Sequence, residues 1–222
     1  MPRITLKASD IPKIIFPEVC KTEDLDIVEG LGFGEGVTGY RLQRDLGYYG
    51  EPICRWEGDI YLGGKSYLVS VGGSPDIITE NEVGEIKVAL TREYASLQLR
   101  RAKLQVLIYG GLFPDSKEAT ELYGNMPLHE GRKLYAVVYI PRESRKIESG
   151  SDLQVWSRAE VPFDNIKFES AIAEAVTNIA DAGDDGRWSG RKDFTDKELR
   201  AYLKSFLNGN HRSENGVFRE DI

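Results

Sequence analysis

Residues 72–93 read GGSPDIITENEVGEIKVALTRE, and the organisation of the chain is read outward from this run. Asp76 opens one short β-rich stretch, Glu80-Asn81-Glu82 makes a turn, and residues 84–90 form the next stretch. Side chains alternate across a strand, so Glu85 and Lys87 share one face while Ile86 and Val88 point the other way, into a core. A hairpin turning around residues 80–83 puts Asp76 at one end of the ladder. The sequence leaves its register open, and Asp76 approaches Glu85 only where the two strands splay or twist.

Upstream, runs 53–62 and 66–71, divided by Gly63-Gly64, complete an antiparallel meander. Residues 24–49 carry Ile27, Val28, Leu31, Leu42 and Leu46 and read as helix, against the cost of Gly32, Gly34, Gly36 and Gly39. Downstream, REYASLQLRRAKLQVLIYGGLF at 92–113 has no proline, is rich in strong helix formers and stops at Gly110-Gly111, which predicts a helix of about five turns. Two further strands, 133–140 and 153–161, precede a helix over 163–182 in which Ile166, Phe168, Ile172, Ala175 and Ile179 fall at roughly helical spacing. The expected class is α/β, a central mixed sheet flanked by helices rather than the strict alternation of a doubly wound fold. Residues 1–182 form the main domain. Residues 183–222 read as a linker, a short helix begun by the capping box Thr195-Asp196-Lys197-Glu198, and a polar tail.

With 222 residues, 41% of them apolar, the chain can bury one substantial core without staples. Cys20 and Cys54 cannot by themselves ligate a four-thiolate zinc or iron–sulfur site, and both read as reduced, inert thiols. The start, MPRITLKASDIPKIIF, lacks the basic opening and apolar run of a secretory signal, and no stretch approaches the ~20 apolar residues of a membrane span. The expectation is an intracellular protein without a membrane partner, in the cytoplasm of its own cell or, if viral, of a host. A net charge of −7 argues against an indiscriminate polyanion binder, so any contact with nucleic acid has to be local.

Two carboxylates converging on one point make a hard oxygen site suited to Mg²⁺ or Mn²⁺. A lysine beside them holds the attacking water and offsets charge building on a phosphate. The plain alternative makes Asp76 a turn residue and Glu85-x-Lys87 a solvated strand face, and Glu-x-Lys alone is too common to displace it. Three features do. Glu85 and Lys87 interrupt an otherwise apolar strand, where two charges are normally avoided. Gln98, Arg101, Gln105 and Tyr109, at spacings of three, four and four, fall on one face of the following helix. Arg92, Arg100, Arg101 and Lys103 stand against Glu93 alone in the window 92–103, a local balance of +3, and are the candidate contacts to a DNA backbone.

Taken in order, Ser74-Pro75-Asp76, Gly84-Glu85-Ile86-Lys87 and Gln105-Val106-Leu107-Ile108-Tyr109 resemble the motifs of the PD-(D/E)XK nuclease superfamily, in its RecB-like, CRISPR-associated-exonuclease-like branch. The resemblance implies a restriction-endonuclease-like core, DNA as substrate, and Mg²⁺ or Mn²⁺ held at Asp76, Glu85 and Ile86. It gives Lys87 the service of the nucleophilic water and places Gln105 and Tyr109 near the substrate. Glu35, in Gly34-Glu35-Gly36, is the candidate for a first acidic residue on the preceding helix, with Glu51 and Glu57 as alternatives. Many members carry a histidine upstream of the aspartate, but His129 and His211 lie downstream and neither fits that role. The four cysteines that hold an iron–sulfur cluster in CRISPR-associated relatives are missing, so no cluster is expected.

The expected activity is therefore metal-dependent hydrolysis of DNA phosphodiester bonds. The alternative is a catalytically inactive nucleic-acid-binding or assembly protein with the same fold, because folds outlive activities. A homo-oligomer is compatible with either. A Nudix-like pyrophosphatase fails because Ser96 and Leu97 stand where two metal-binding glutamates belong. Gly32-x-Gly34-x-Gly36 lacks the strand-then-helix setting of a dinucleotide site. Trp56, Trp156 and Trp188 read as core aromatics rather than base-stacking residues.

Overall fold

The structure, a computed structural model, describes residues 3–17, 44–47, 53–89, 92–142 and 150–184. In chain order its elements are β1 (Arg3–Lys7), α1 (Ile11–Ile15), β2 (Cys54–Leu62), β3 (Lys65–Gly73), β4 (Ile77–Ile78), β5 (Glu82–Val88), α2 (Arg92–Gly110), β6 (Phe113–Pro114), α3 (Lys117–Tyr123), β7 (Lys133–Pro141), β8 (Leu153–Val161) and α4 (Asn165–Asp184). The predicted helix after the meander and the two strands that follow it coincide closely with α2, β7 and β8. The candidate acidic residues Glu35 and Glu51, Cys20, Trp188, His211, the capping box at 195–198 and all but residues 44–47 of the helix expected over 24–49 lie outside the described residues; of those four, Arg44 and Asp45 are helical and Leu46 and Gly47 form a turn.

The α/β class holds, but the strands fall into two four-stranded mixed sheets, in the orders β1-β3-β2-β6 and β4-β5-β7-β8. The expected meander is two hairpins in different sheets. Gly63 and Gly64, with φ of +54° and +78°, supply the two left-handed residues of a tight hairpin turn between β2 and β3. After Gly73 the chain leaves the first sheet through Ser74 and Pro75. Pro75 has no N–H to continue a ladder, and the two-residue β4 then starts the second sheet against β5. From β5 the chain runs through α2 and returns as β7, parallel to β5, in a β-α-β unit.

One apolar cluster joins Ile4, Leu6, Val69 and Val71 of the first sheet to Leu104, Leu107 and Ile108 of α2 and to Phe168, Ile172 and Ile179 of α4. Close approach at the end of α2 depends on Gly111, where a Cβ would lie 2.5 Å from Phe168 Cε2. Trp56 packs edge-on against Phe168, with ring centroids 5.6 Å apart, as a core aromatic should. Trp156 does not follow it, being 38% exposed on β8. Ile166 likewise departs from the apolar stripe of α4, because it sits in the first turn, beyond the edge of the core, and is 76% exposed. Among the described residues, no helix is long and apolar enough to cross a membrane.

Candidate active site

The register of β4 on β5 resolves what the sequence leaves open. Ile77 faces Gly84 and Ile78 faces Val83, so the next antiparallel step sets Asp76 opposite Glu85. Two bonds hold it there. The Asp76 amide donates to the Gly84 carbonyl at 3.2 Å, and the Ile86 amide donates to Asp76 Oδ2 at 2.7 Å. Lys87 Nζ then donates to Glu85 Oε1 at 2.6 Å. Glu85 is 3% exposed while the Lys87 side chain is 24% exposed, so the lysine is the outer member of the group.

Burial is the largest influence on both carboxyls and drives both upward. It pushes Glu85 up to about 8; Lys87 pulls it back, and the neighbouring Asp76 adds to the rise. Asp76 is also raised, with Lys87 and the Ile86 N–H tempering the effect. The two carboxyls are hydrogen-bonded to each other. Like charges this close do not ionise independently, so the pair titrates as one unit and keeps a proton near neutral pH.

Helix α2 supplies the other wall. Gln98, Arg101, Gln105 and Tyr109 are 7%, 2%, 3% and 3% exposed, so the polar face expected from their spacing exists and is turned inward. Gln105 Nε2 donates to the Tyr109 hydroxyl at 2.9 Å. Burial and the adjoining Glu85 carboxylate hold the Tyr109 phenol well above its ordinary range, so it stays protonated beside the carboxylates. The ring comes against the backbone of β3, where a Cβ on Gly73 would lie 3.0 Å from Tyr109 Cε1. Gly72 and Gly73 are of a residue type that favours turns, yet both belong to β3. The signal that distinguishes them is spatial, and no local pattern carries it.

The basic residues divide. Arg92 is exposed and Lys103 half-buried. Arg101 is not presented to a DNA backbone: it lies on the inward face of α2, where its Nη2 donates to the Phe16 carbonyl at 3.1 Å. Arg100 stacks over the Phe16 ring at 4.5 Å, so it too is engaged with the end of α1. Glu57 is paired with Arg3 at 2.6 Å on the surface of the first sheet, away from Asp76 and Glu85 in the strand order. His129 caps α2 instead of serving the site: its Nδ1 donates to the Gly110 carbonyl at 2.8 Å, and its ring stacks on Phe163.

Among the described residues, no group of three or more His, Cys, Asp or Glu side chains is placed to hold a metal ion. A hard divalent cation needs less than that, since Mg²⁺ is commonly held by one or two carboxylates and keeps several waters. Asp76 and Glu85 meet that requirement, and their shared proton marks a spot where a cation would relieve the repulsion between them. Ile86, whose side chain is apolar and buried, has only its backbone carbonyl to offer.

No family model matches this chain, and no curated protein matches it. Among solved structures, one titled "Crystal structure of SSO0001" aligns with 78% of this chain and 75% of its own at 17% identity, with a TM-score of 0.43. A likeness that loose bears on neither fold family nor activity.

Proposed function

We propose that this chain is a metal-dependent nuclease with a restriction-endonuclease-like core, hydrolysing DNA phosphodiester bonds at Asp76, Glu85 and Lys87. The observation that carries the reading is the pair Asp76–Glu85, opposed across two strands and buried, with Lys87 Nζ 2.6 Å from Glu85 and partly open to solvent. A buried like-charge pair opposes folding, so its presence calls for a role other than packing. Bound at the pair, Mg²⁺ or Mn²⁺ would polarise a phosphoryl oxygen and make a coordinated water more acidic.

The chain's own groups then have distinct tasks. Asp76 and Glu85 give up their shared proton and present oxygen ligands, with the Ile86 amide fixing Asp76 Oδ2. Lys87, at the outer edge, orients a water by hydrogen bonding and offsets charge on the phosphate. Tyr109, held by Gln105 and still protonated, offers a neutral donor at the floor of the site. Exposed Arg92 and half-buried Lys103 are the basic residues of α2 able to meet a phosphate backbone, and an intracellular DNA substrate fits this arrangement.

The test is cleavage of end-labelled DNA by the purified chain with Mg²⁺ or Mn²⁺ and with a chelator. The expected result is metal-dependent cutting that falls by ~10²–10³-fold in Asp76→Ala and Lys87→Ala, with circular dichroism unchanged. Cutting by both variants at the unaltered rate would overturn the assignment. Absence of cutting by the unaltered chain, with Mn²⁺ still bound, would favour the inactive binding protein.

A further inference from the structure

Directly opposed Cβ atoms in an antiparallel pair ordinarily stand ~4.5–5.5 Å apart. Gly84 and Ile77 are such a pair in register, yet a Cβ on Gly84 would lie 3.3 Å from Ile77 Cβ, 3.4 Å from Cγ1 and 3.0 Å from Cδ1. The two strands are therefore so close here that a side chain at position 84 requires Ile77 to give by a few tenths of an ångström. Gly84 is not among the glycines with positive φ, so its backbone conformation does not call for glycine. The space does.

The consequence falls on the next pair of the ladder. Asp76 follows Ile77 in the register as the partner of Glu85, and its amide donates to the Gly84 carbonyl itself at 3.2 Å. We propose that Gly84 is a positioning residue for the carboxylate pair: its missing side chain lets β4 close on β5 far enough for Asp76 to reach both Glu85 and the Ile86 amide. A methyl group at position 84 presses on Ile77, and Asp76, which immediately precedes the two-residue β4, moves with it. This inference rests on the metal-nuclease reading, since it concerns how the two ligands are brought together.

Isothermal titration of the full chain with Mn²⁺ tests it, alongside thermal unfolding of each variant. Gly84→Ala should weaken Mn²⁺ binding by about tenfold or more, the usual effect of disturbing the support of a metal ligand. Ile77→Gly should lower the unfolding midpoint and leave Mn²⁺ affinity near that of the unaltered chain. The double variant should recover affinity to within a few-fold, because the space lost at position 84 is returned at position 77. Rescue of binding by a substitution that itself destabilises the protein is not what a general packing role produces. Gly72→Ala is the control, since a Cβ there meets only the Cys54 carbonyl at 3.7 Å, an ordinary contact.

Unchanged affinity in Gly84→Ala, or a double variant as weak as Gly84→Ala alone, overturns the proposal. Should Gly84→Ala fail to fold, the double variant compared with Ile77→Gly decides: equal affinity supports the proposal, and a tenfold deficit overturns it. An unaltered chain that binds no Mn²⁺ overturns the metal reading and this inference with it. Binding lost in Asp76→Ala but untouched in Gly84→Ala overturns the Gly84 inference alone.

Discussion

Arg101 and Glu85 are buried to nearly the same depth, 2% and 3% exposed, and are held in opposite ways. Arg101 donates to the Phe16 carbonyl and so fastens α2 to the end of α1. Glu85 meets Lys87 on one side and a second carboxyl on the other, and burial with that neighbour pushes it up to about 8. A buried charge that ties two segments together serves the fold. One that faces its own kind works against the fold, and its presence points to chemistry.

The comparison breaks most visibly on stability. Arg101→Ala removes a charge-assisted hydrogen bond and leaves a carbonyl without that donor, so it should cost about 2–3 kcal/mol, readable as a shift in the denaturant midpoint at constant slope. An unaffected midpoint would mean that Arg101 does not fasten α1. Glu85→Gln should act in the other direction. Between the unfolded value of 4.5 and the folded value of about 8 the folded chain binds more protons than the unfolded one. Its stability therefore declines as pH rises through that interval. The glutamine variant loses this slope, so without metal it should melt above the unaltered chain at pH 9 and converge with it only below pH 4.5. Parallel pH profiles would show that Glu85 is not held protonated by its surroundings.

The smallest expected effect sharpens the same contrast at the surface. Arg92→Ala and Lys103→Ala should each reduce the slope of log affinity for DNA against log salt by ~1, while Arg101→Ala leaves the slope alone. A reduced slope in Arg101→Ala would put that guanidinium on the phosphate backbone after all.

The part of this architecture that local pattern encodes was open to reading from the chain. α2 is marked by a proline-free run of helix formers and a glycine stop, and β8 by its bounding residues and length, so both were expected where they occur. β1 and α1 carry no comparable signal: each is five residues long, and α1 holds a proline in its first turn. Strand partnership is tertiary, so although Pro75 marks a break in the ladder, nothing local says that the strands on its two sides belong to different sheets. The site shows the same limit. Spacing grouped Glu85 with Lys87 and Gln105 with Tyr109, because alternation and helical pitch are local rules. Asp76 opposite Glu85 depended on the pairing register of β4 on β5, which no local rule supplies. The tally of basic residues on α2 counted Arg101 as surface because helical spacing defines a face without saying which way it turns.

Anomalous diffraction from crystals soaked in Mn²⁺ tests the central claim most directly. The account predicts a manganese peak between the carboxylates of Asp76 and Glu85, against the Ile86 carbonyl, that is lost in Asp76→Ala. A peak held by other residues, or no peak at this pair in crystals that bind Mn²⁺ elsewhere, would contradict it.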